Sequence, residues 1–449
     1  MSDELRRVLQ SRHISMISMG GIIGAGLFVG SSAAIATAGP AIVLSYLMAG
    51  ALVLLVMRML GEMAVALPRV SSFSDFARAG LGEWAGFLVG WLYWYFWIVV
   101  VPVEAIAGAQ LLHLWIALPP WLLGVGLMAI MTGVNLLSTR SFAEFEFWFA
   151  LIKVSAIVLF IGAAAAWAFG LTSHGAPTWA HLYDAGGFAP RGALAVLAAV
   201  TTVFFSLVGA EITVVAAAES RDPVRAVARM STAVIARILI FYVGSILLIV
   251  TVVPWQQVIP GQSPFTLAMT VMQYRWAGLA MTVVILTAVL SCLNSAFYVT
   301  SRVLFAMAAN GNAPASLVKL NERGVPTRSV LLGGAAGLAG IALATVSPQG
   351  MFAFLVNASG ALMLFIYMLI ALAQIRLRRA RSRQAQQALA VQMWFYPAAS
   401  YLALGGMLAV LVAMASTPAL ASQFYVSALA LALAVAAWSL KRARARAQA

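Results

Sequence analysis

Twelve apolar runs dominate the sequence, and each is long enough, or nearly so, to cross a membrane. A membrane-spanning helix needs about 20 apolar residues, and hydrophobic residues make up 63% of this chain against 9% charged residues. No soluble core can absorb that much apolar surface. The sequence therefore predicts an all-α integral membrane protein with twelve transmembrane helices. We number them spans 1–12: residues 13–36, 39–66, 84–112, 119–137, 144–169, 191–217, 231–254, 276–308, 328–346, 350–374, 394–415 and 421–440.

The charges are distributed unequally between the two ends of these spans. The chain has 27 Lys and Arg against 13 Asp and Glu, a net charge of +14. With the N-terminus inside, 24 of the 27 basic residues fall on the inner side, Arg191 and Arg275 fall outside, and Lys153 lies within span 5. This is the positive-inside pattern of membrane proteins and does not indicate nucleic-acid binding. It predicts two cytoplasmic termini whose basic flanks contact membrane lipid headgroups.

Other features argue against soluble domains and against enzyme chemistry. No polar linker is long enough to separate domains, so residues 1–449 are predicted to form a single membrane transport domain. The four histidines are scattered and Cys292 is the only cysteine, so metal-ligand or nucleophile spacing is missing from the spans. We expect no catalytic residues, no metal site and no cofactor. A membrane enzyme and a sensor that binds its ligand without transporting it remain as alternatives.

Two spans carry interruptions at corresponding positions of the chain. Span 1 contains GGIIGAGLFVG at residues 20–30, and span 6 contains FFSLVGAEI at residues 204–212, five spans later. Interrupted helices at matching places in two halves indicate a transporter built from inverted repeats. The opened backbone offers N–H and C=O groups to a ligand, and a half-helix N-terminus suits a carboxylate. Close helix packing through small residues is the alternative explanation for these glycines.

Several longer segments resemble a known family. HISMISMGGIIGAGLFVGSSAAIATAGPA, GWLYWYFWIVVVPVEA, EFEFWFALIKV, FSLVGAEITVVAAAES and SCLNSAFYVTSRVLFAMAANGNAP resemble the amino acid transporter branch of the amino acid, polyamine and organocation (APC) superfamily. Within it they are most similar to bacterial GABA (4-aminobutyrate) permeases. The resemblance implies the leucine-transporter fold and alternating access: a first repeat over 13–170 (spans 1–5), an inverted second repeat over 191–374 (spans 6–10), and two peripheral helices over 394–440.

The resemblance also implies a substrate site between spans 1, 6 and 8. It places the substrate carboxylate on the span 1 backbone at Ile22, Gly24, Ala25 and Gly26. It places the amino group at the span 6 carbonyls around Phe205, Ser206 and Val208, with Asn294 and Ser295 of span 8 facing the ligand. Phe205 matches an aromatic gate, and Tyr93 lies near a second gate position. The family site is described for α-amino acids, whereas the two charges of GABA lie farther apart. The residues assigned to the carboxylate are therefore expected to apply to GABA better than those assigned to the ammonium group.

Three ionisable residues inside spans are candidates for proton coupling: Lys153, Glu104 and Glu211. Intramembrane charges are rare and usually functional, although each can instead be a locked structural pair. In sodium-coupled relatives of the fold, a sodium ion occupies the position that corresponds to Lys153. A lysine ammonium there would replace the cation and bond carbonyls near Gly20 and Gly21, so sodium is not expected. Lys153 either exchanges its proton during transport or stays charged in an exchanger.

The sequence therefore predicts a secondary active transporter in a bacterial inner membrane. Its expected activity is proton-coupled uptake of GABA or related ω-amino acids. The alternative is a proton-coupled or exchanging permease for an aromatic or aliphatic α-amino acid.

Overall fold

Every regular element described in the structure is helical. The structure is a computed structural model that describes residues 23–67, 70, 72–137, 139–172, 178–209, 211, 238–274, 276–381 and 389–448. The helices at spans 1–12 are Gly26–Gly30 with Ser31–Ala38, Ile42–Ala66, Glu83–His113, Pro120–Leu137, Thr139–Ala168, Gly192–Leu207, Ile238–Gly244 with Ser245–Val252, Ala277–Ala309, Thr327–Ala344, Pro348–Arg379, Ala398–Ser416 and Pro418–Gln448.

The lengths of these helices confirm the twelve-span prediction. Within the described ranges, eight helical segments are long and apolar enough to cross a membrane, and three shorter apolar helices accompany them. The longest segment, Gly26–Ala66, holds spans 1 and 2, which are separated by a turn at Gly39–Ala41. A helix therefore stands at each of the twelve predicted positions, as expected for an all-α, multi-pass membrane protein.

The turn between spans 1 and 2 requires glycine. Gly39 has a φ of +64°, a conformation that residues with a side chain rarely adopt. A Cβ atom built on Gly39 would lie 2.6 Å from Cγ of Pro190, which precedes span 6. The C-terminal end of span 1 is thus packed closely against the start of span 6.

Span 3 forms the centre of the bundle. The most apolar window of Glu83–His113 is 78% buried, whereas the equivalent window of span 12 is 17% buried. Spans 8 and 10 both pack on span 3. A helix that is apolar on all sides belongs in a core, while a helix with one buried stripe belongs at the periphery. This arrangement places Glu104, on span 3, inside the protein rather than against lipid.

A short helix that the sequence analysis did not predict covers the inner part of span 3. It spans Phe73–Leu81 and is capped by Ser72, whose Oγ accepts a hydrogen bond from the Asp75 backbone N–H at 3.1 Å. The Phe73 ring stacks on Tyr93 of span 3 with 5.3 Å between centroids, and it lies 6.2 Å from the Tyr367 ring of span 10. The helix therefore supports two tyrosines that belong to the candidate site.

Candidate functional site

The two interrupted helices meet. The described part of span 1 becomes helical at Ala25, and the span 6 helix ends at Leu207. A Cβ atom on Gly26 would lie 2.9 Å from Cα of Ser206 and 3.0 Å from Cδ1 of Phe205. The backbones therefore touch where glycine leaves room, and the two breaks form one junction.

Span 6 unwinds where the sequence predicted its interruption. Val208 is extended, with φ −65° and ψ 147°, and Gly209 has a φ of +107°, which favours glycine. The last carbonyl groups of the Gly192–Leu207 helix thus lack a following helical turn, and they carry the negative end of the helix dipole. This end faces the positive N-terminal end of the span 1 half-helix across the junction.

A small cavity lies at this junction. Its volume is about 20 Å³, enough for one water molecule but too little for an amino acid. Apolar side chains of span 3 form one wall, and the ends of spans 1 and 6 form the other. The lining residues are Gly24, Gly26, Phe96, Trp97, Val100, Glu104, Phe205, Ser206, Val208 and Cys292.

Glu104 caps the span 1 half-helix. The Ala25 backbone N–H donates to both carboxylate oxygens of Glu104, with 3.2 Å to each, and the Glu104 side chain is 1% exposed. A carboxylate at a helix N-terminus is stabilised by the free N–H groups and by the helix dipole. The donor that the resemblance assigns to the substrate carboxylate is therefore occupied by a carboxylate of the protein.

Gly24 allows this contact. A Cβ atom on Gly24 would lie 2.7 Å from both Cβ and Sγ of Cys292 and 2.8 Å from Oε1 of Glu104. Span 1 thus packs directly against spans 3 and 8 at this residue. Gly24 and Gly26 are both closely packed and both line the cavity, so close packing is present at each, and ligand binding at them stays a prediction.

Glu211 is held by three hydrogen bonds just beyond the break in span 6. Its Oε1 accepts from the Tyr93 hydroxyl at 3.1 Å, and its Oε2 accepts from the Tyr367 hydroxyl at 3.1 Å and from the Gly209 N–H at 2.9 Å. Glu211 is 1% exposed. Tyr93, expected near a gate, therefore binds the carboxylate that follows the broken helix.

Lys153 belongs to a buried network with Ser291 and Glu146. Its Nζ donates to the Ser291 hydroxyl at 2.9 Å and lies 3.6 Å from Oε1 of Glu146, and the Ser291 hydroxyl contacts both Glu146 oxygens at 2.7 and 2.6 Å. Lys153 and Glu146 are fully buried. The predicted partners of Lys153 near Gly20 and Gly21, like Ile22 of the predicted carboxylate site, lie outside the described residues.

The two predicted span 8 residues lie away from the cavity lining described above. The Oδ1 atom of Asn294 accepts from the Asn135 side chain of span 4 at 2.8 Å. The buried Ser295 hydroxyl has no hydrogen-bond partner within the described part of the chain. Span 8 contributes Cys292 to the cavity instead.

Sequence reasoning missed three residues of this region. Glu146 had a usable signal, because it precedes Lys153 by seven residues, which is two helical turns on the same face. Cys292 and Ser291 had none, because only the packing of span 8 against spans 1 and 5 brings them to Gly24 and Lys153. Cys292 lies within electrostatic reach of Glu104, Lys153 and Glu146, so it joins the cavity to the lysine network.

A twelve-span bundle in which the start of the described span 1 helix meets the unwound end of the span 6 helix, beside a buried carboxylate, fits a secondary transporter. The chain belongs to the amino acid permease family, whose model matches residues 13–448. It is an amino acid transporter, and membership of a permease family decides against the membrane-enzyme alternative.

Relatives in this family are similar along almost the whole chain. The chain is 41% identical over 413 residues to the gamma-aminobutyric acid permease of Bacillus subtilis (strain 168), covering 92% of this chain and 88% of that protein. It is 43% identical over 421 residues to the gamma-aminobutyric acid permease of Escherichia coli (strain K12), covering 93% and 90%. It is 36% identical over 420 residues to the aromatic amino acid transport protein AroP of Salmonella typhimurium (strain SL1344), covering 93% and 92%.

A solved structure shares the fold. A mutant manganese transporter from Eremococcus coleocola superposes with a TM-score of 0.59 at 14% sequence identity, covering 96% of this chain and 94% of that one. At this identity the likeness concerns the fold alone, and it confirms the transporter architecture expected from the resemblance.

Proposed function

We propose that this protein carries GABA or a related ω-amino acid into the cell together with a proton. The relatives named as gamma-aminobutyric acid permeases support the substrate class. The junction also has suitable chemistry, with helical N–H groups at Ala25 for a carboxylate and carbonyl groups around Phe205, Ser206 and Val208 for an ammonium. The apolar wall of Phe96 and Val100 can cover the methylene groups between them.

The proposal rests mainly on the hydrogen bond between Ala25 and Glu104. A substrate carboxylate that takes the Ala25 N–H must displace the Glu104 carboxylate. Two carboxylates in one small apolar site cannot both keep their charge, so Glu104 takes up a proton as the substrate binds. Substrate binding and proton binding are then linked at one position.

The small volume of the cavity fits an alternating-access cycle. Because it holds only about 20 Å³, the substrate site must widen before an amino acid enters. Phe205 borders Gly26, and its ring lies 6.1 Å from that of Phe96. Rotation of Phe205 opens the cavity, and Tyr93 is a second gate because its hydroxyl holds Glu211 beside the break in span 6.

Lys153 is proposed to replace a sodium ion on span 5. Its ammonium is buried beside Ser291 and Glu146, a position that needs no further cation. Glu211 and Lys153 are the remaining candidates for proton coupling. If Lys153 instead stays permanently charged, the protein is an exchanger that moves no protons, which is the alternative mechanism.

We further propose an orientation of the chain in the membrane and an assignment of its inverted repeats. The charge asymmetry supports a cytoplasmic location of both termini, with the protein in the inner membrane of a bacterial cell. Residues 13–170 and 191–374 act as inverted repeats, and residues 394–440 as peripheral helices.

Uptake into proteoliposomes tests the proposal. Labelled GABA is expected to accumulate when an inward proton gradient is imposed, without sodium, and ω-amino acids of increasing length should compete according to their fit. The relative named as an aromatic amino acid transport protein and the aromatic cavity wall favour an aromatic α-amino acid as second candidate. Better displacement of label by phenylalanine than by β-alanine or GABA would reverse the substrate assignment. Binding without uptake would instead indicate a sensor.

A further inference from the structure

An apolar groove runs along the outer surface of the bundle between spans 3 and 12. Its volume is about 330 Å³, within the range of small-molecule sites. Span 12 supplies alternating small and large apolar side chains to the groove, and span 3 supplies a row of aromatic ones. The lining residues are Trp91, Leu92, Trp94, Tyr95, Val426, Leu429, Ala430, Leu433, Ala434 and Ala437.

A polar cluster closes one end of this groove. The Lys441 ammonium donates to the Gly311 carbonyl at 2.8 Å and to Oδ1 of Asn312 at 2.7 Å, and the Trp91 indole N–H donates to the Asn312 carbonyl at 3.1 Å. The Phe87 ring packs 5.4 Å from that of Trp438. Spans 3 and 12 therefore contact each other directly at this end of the groove.

One of the basic residues at the end of span 12, Arg444, lies on the helix face that lines the groove. At 100° per residue, Ala430, Ala437 and Arg444 lie within about 40° of one another around the helix axis. Arg444 is exposed, one turn beyond the polar cluster. Arg442 is equally exposed but lies about 140° away from Ala437 around the axis. Arg444 therefore lies on the groove-lining face of span 12, one turn beyond the polar cluster.

We propose that this groove binds one anionic phospholipid, with an acyl chain between spans 3 and 12 and the headgroup at Arg444. The apolar walls match the chain, and Arg444 complements a headgroup phosphate whose charge is not neutralised by a headgroup cation. The proposal does not depend on the transported substrate, because the groove shares no lining residue with the junction cavity.

Native mass spectrometry of the detergent-purified full chain tests the site, with phosphatidylglycerol and phosphatidylcholine as probes. The wild type should retain one phosphatidylglycerol in preference to phosphatidylcholine. Ala430→Phe and Ala437→Phe fill the groove and should remove the bound lipid. Ala432→Phe is the matched control, because Ala432 is exposed on the same helix outside the groove. Ala437 is itself exposed, so its substitution leaves the buried packing intact.

The headgroup contact is tested with a matched pair of charge variants. Arg444→Gln should lower the preference for phosphatidylglycerol by about fivefold, which corresponds to the effect of one arginine beside an anionic lipid. Arg442→Gln should change it much less. Equal retention of the two lipids by the wild type, or equal retention by Ala430→Phe and Ala432→Phe, would overturn the proposal. So would a dimer that Ala430→Phe dissociates, because the groove would then bind a second copy of the chain.

Discussion

The backbone N–H of Ala25 lies 3.2 Å from each carboxylate oxygen of Glu104. This contact joins the half-helix of span 1 to the central span 3, and it fills the position proposed for the substrate carboxylate. In the proposed mechanism, the Glu104 carboxylate therefore competes with the substrate carboxylate for the Ala25 N–H, and its displacement requires a proton.

Replacement of Glu104 by glutamine should uncouple substrate binding from pH. In the wild type each bound substrate takes up a proton, so affinity should fall as pH rises, by up to about tenfold per pH unit. A glutamine side chain cannot ionise, so affinity in Glu104→Gln should be nearly independent of pH. Equilibrium binding of labelled GABA at acidic and alkaline pH measures both slopes.

The control for this experiment is Glu322→Gln, since Glu322 is exposed and far along the chain from the site. Its affinity for GABA should depend on pH as steeply as that of the wild type. A steep dependence of GABA affinity on pH in Glu104→Gln would show that another group takes up the proton.

Replacement of Gly26 by valine should abolish transport while leaving the protein in the membrane. Any side chain here meets the Ser206 backbone, with 2.9 Å from a Cβ to Cα of Ser206, so the two broken helices must separate. Displacement of a site by about 1 Å can reduce a rate a hundredfold, and we expect at least that loss in initial uptake. Gly162→Val is the matched control, because no atom lies within 4 Å of a Cβ at Gly162. Near-normal affinity in Gly26→Val would show that Gly26 serves only helix packing.

The two helix breaks were predictable because each has a local cause that is visible in the sequence. Gly26 and Gly209 are needed for close approach and for a positive φ, respectively, and both needs depend on the residue itself. The hydrophobic runs likewise predicted the twelve helices. The Phe73–Leu81 helix was missed because it is short and lies between two long spans.

The partners of the charged residues were harder to predict. Glu104 was recognised as functional because it is an intramembrane carboxylate, but its contact with Ala25 depends on how span 3 is rotated against span 1. Asn294 meets Asn135 for the same reason. Only Glu146 could have been paired with Lys153 from spacing alone.

Replacement of Glu211 by glutamine should impair transport more than folding. The carboxylate accepts from Tyr93, Tyr367 and Gly209, and hydrogen bonds to a charged group contribute about 1.5–3 kcal/mol each. A glutamine places its NH₂ group where one of these donors must lie, so the end of span 6 should shift. We expect uptake to fall by about tenfold or more with a modest loss of thermal stability.

Tyr93→Phe and Tyr367→Phe serve as comparisons, because each removes one donor and keeps the carboxylate. Each should reduce uptake less than Glu211→Gln does. Unchanged uptake kinetics in Glu211→Gln would remove this residue from the mechanism.

Lys153 and Glu146 should depend on each other for stability. Removal of one partner of a buried ion pair costs about 3–5 kcal/mol, because the other charge is left uncompensated. Lys153→Met alone should therefore destabilise the protein strongly, and Lys153→Met with Glu146→Gln should recover much of the loss. Thermal unfolding in detergent of both single variants and of the double variant measures the coupling. Additive effects of the two substitutions would mean that the pair is not coupled.

Measurement of proton movement distinguishes a role of Lys153 and Glu146 in symport from a purely structural role. Both are buried, and Ser291 contacts both side chains, so a proton can pass between them through one hydroxyl. If Lys153 releases its proton during the cycle, its attraction to neighbouring oxygens differs between the outward-open and inward-open states, as coupling requires. Wild-type uptake in proteoliposomes should then acidify the lumen and increase with an inward proton gradient. The double variant Lys153→Met with Glu146→Gln keeps the packing without the charges, and it should exchange substrate without moving protons through this pair. Wild-type uptake that ignores the gradient and leaves luminal pH unchanged would exclude symport and leave exchange with a permanently charged Lys153.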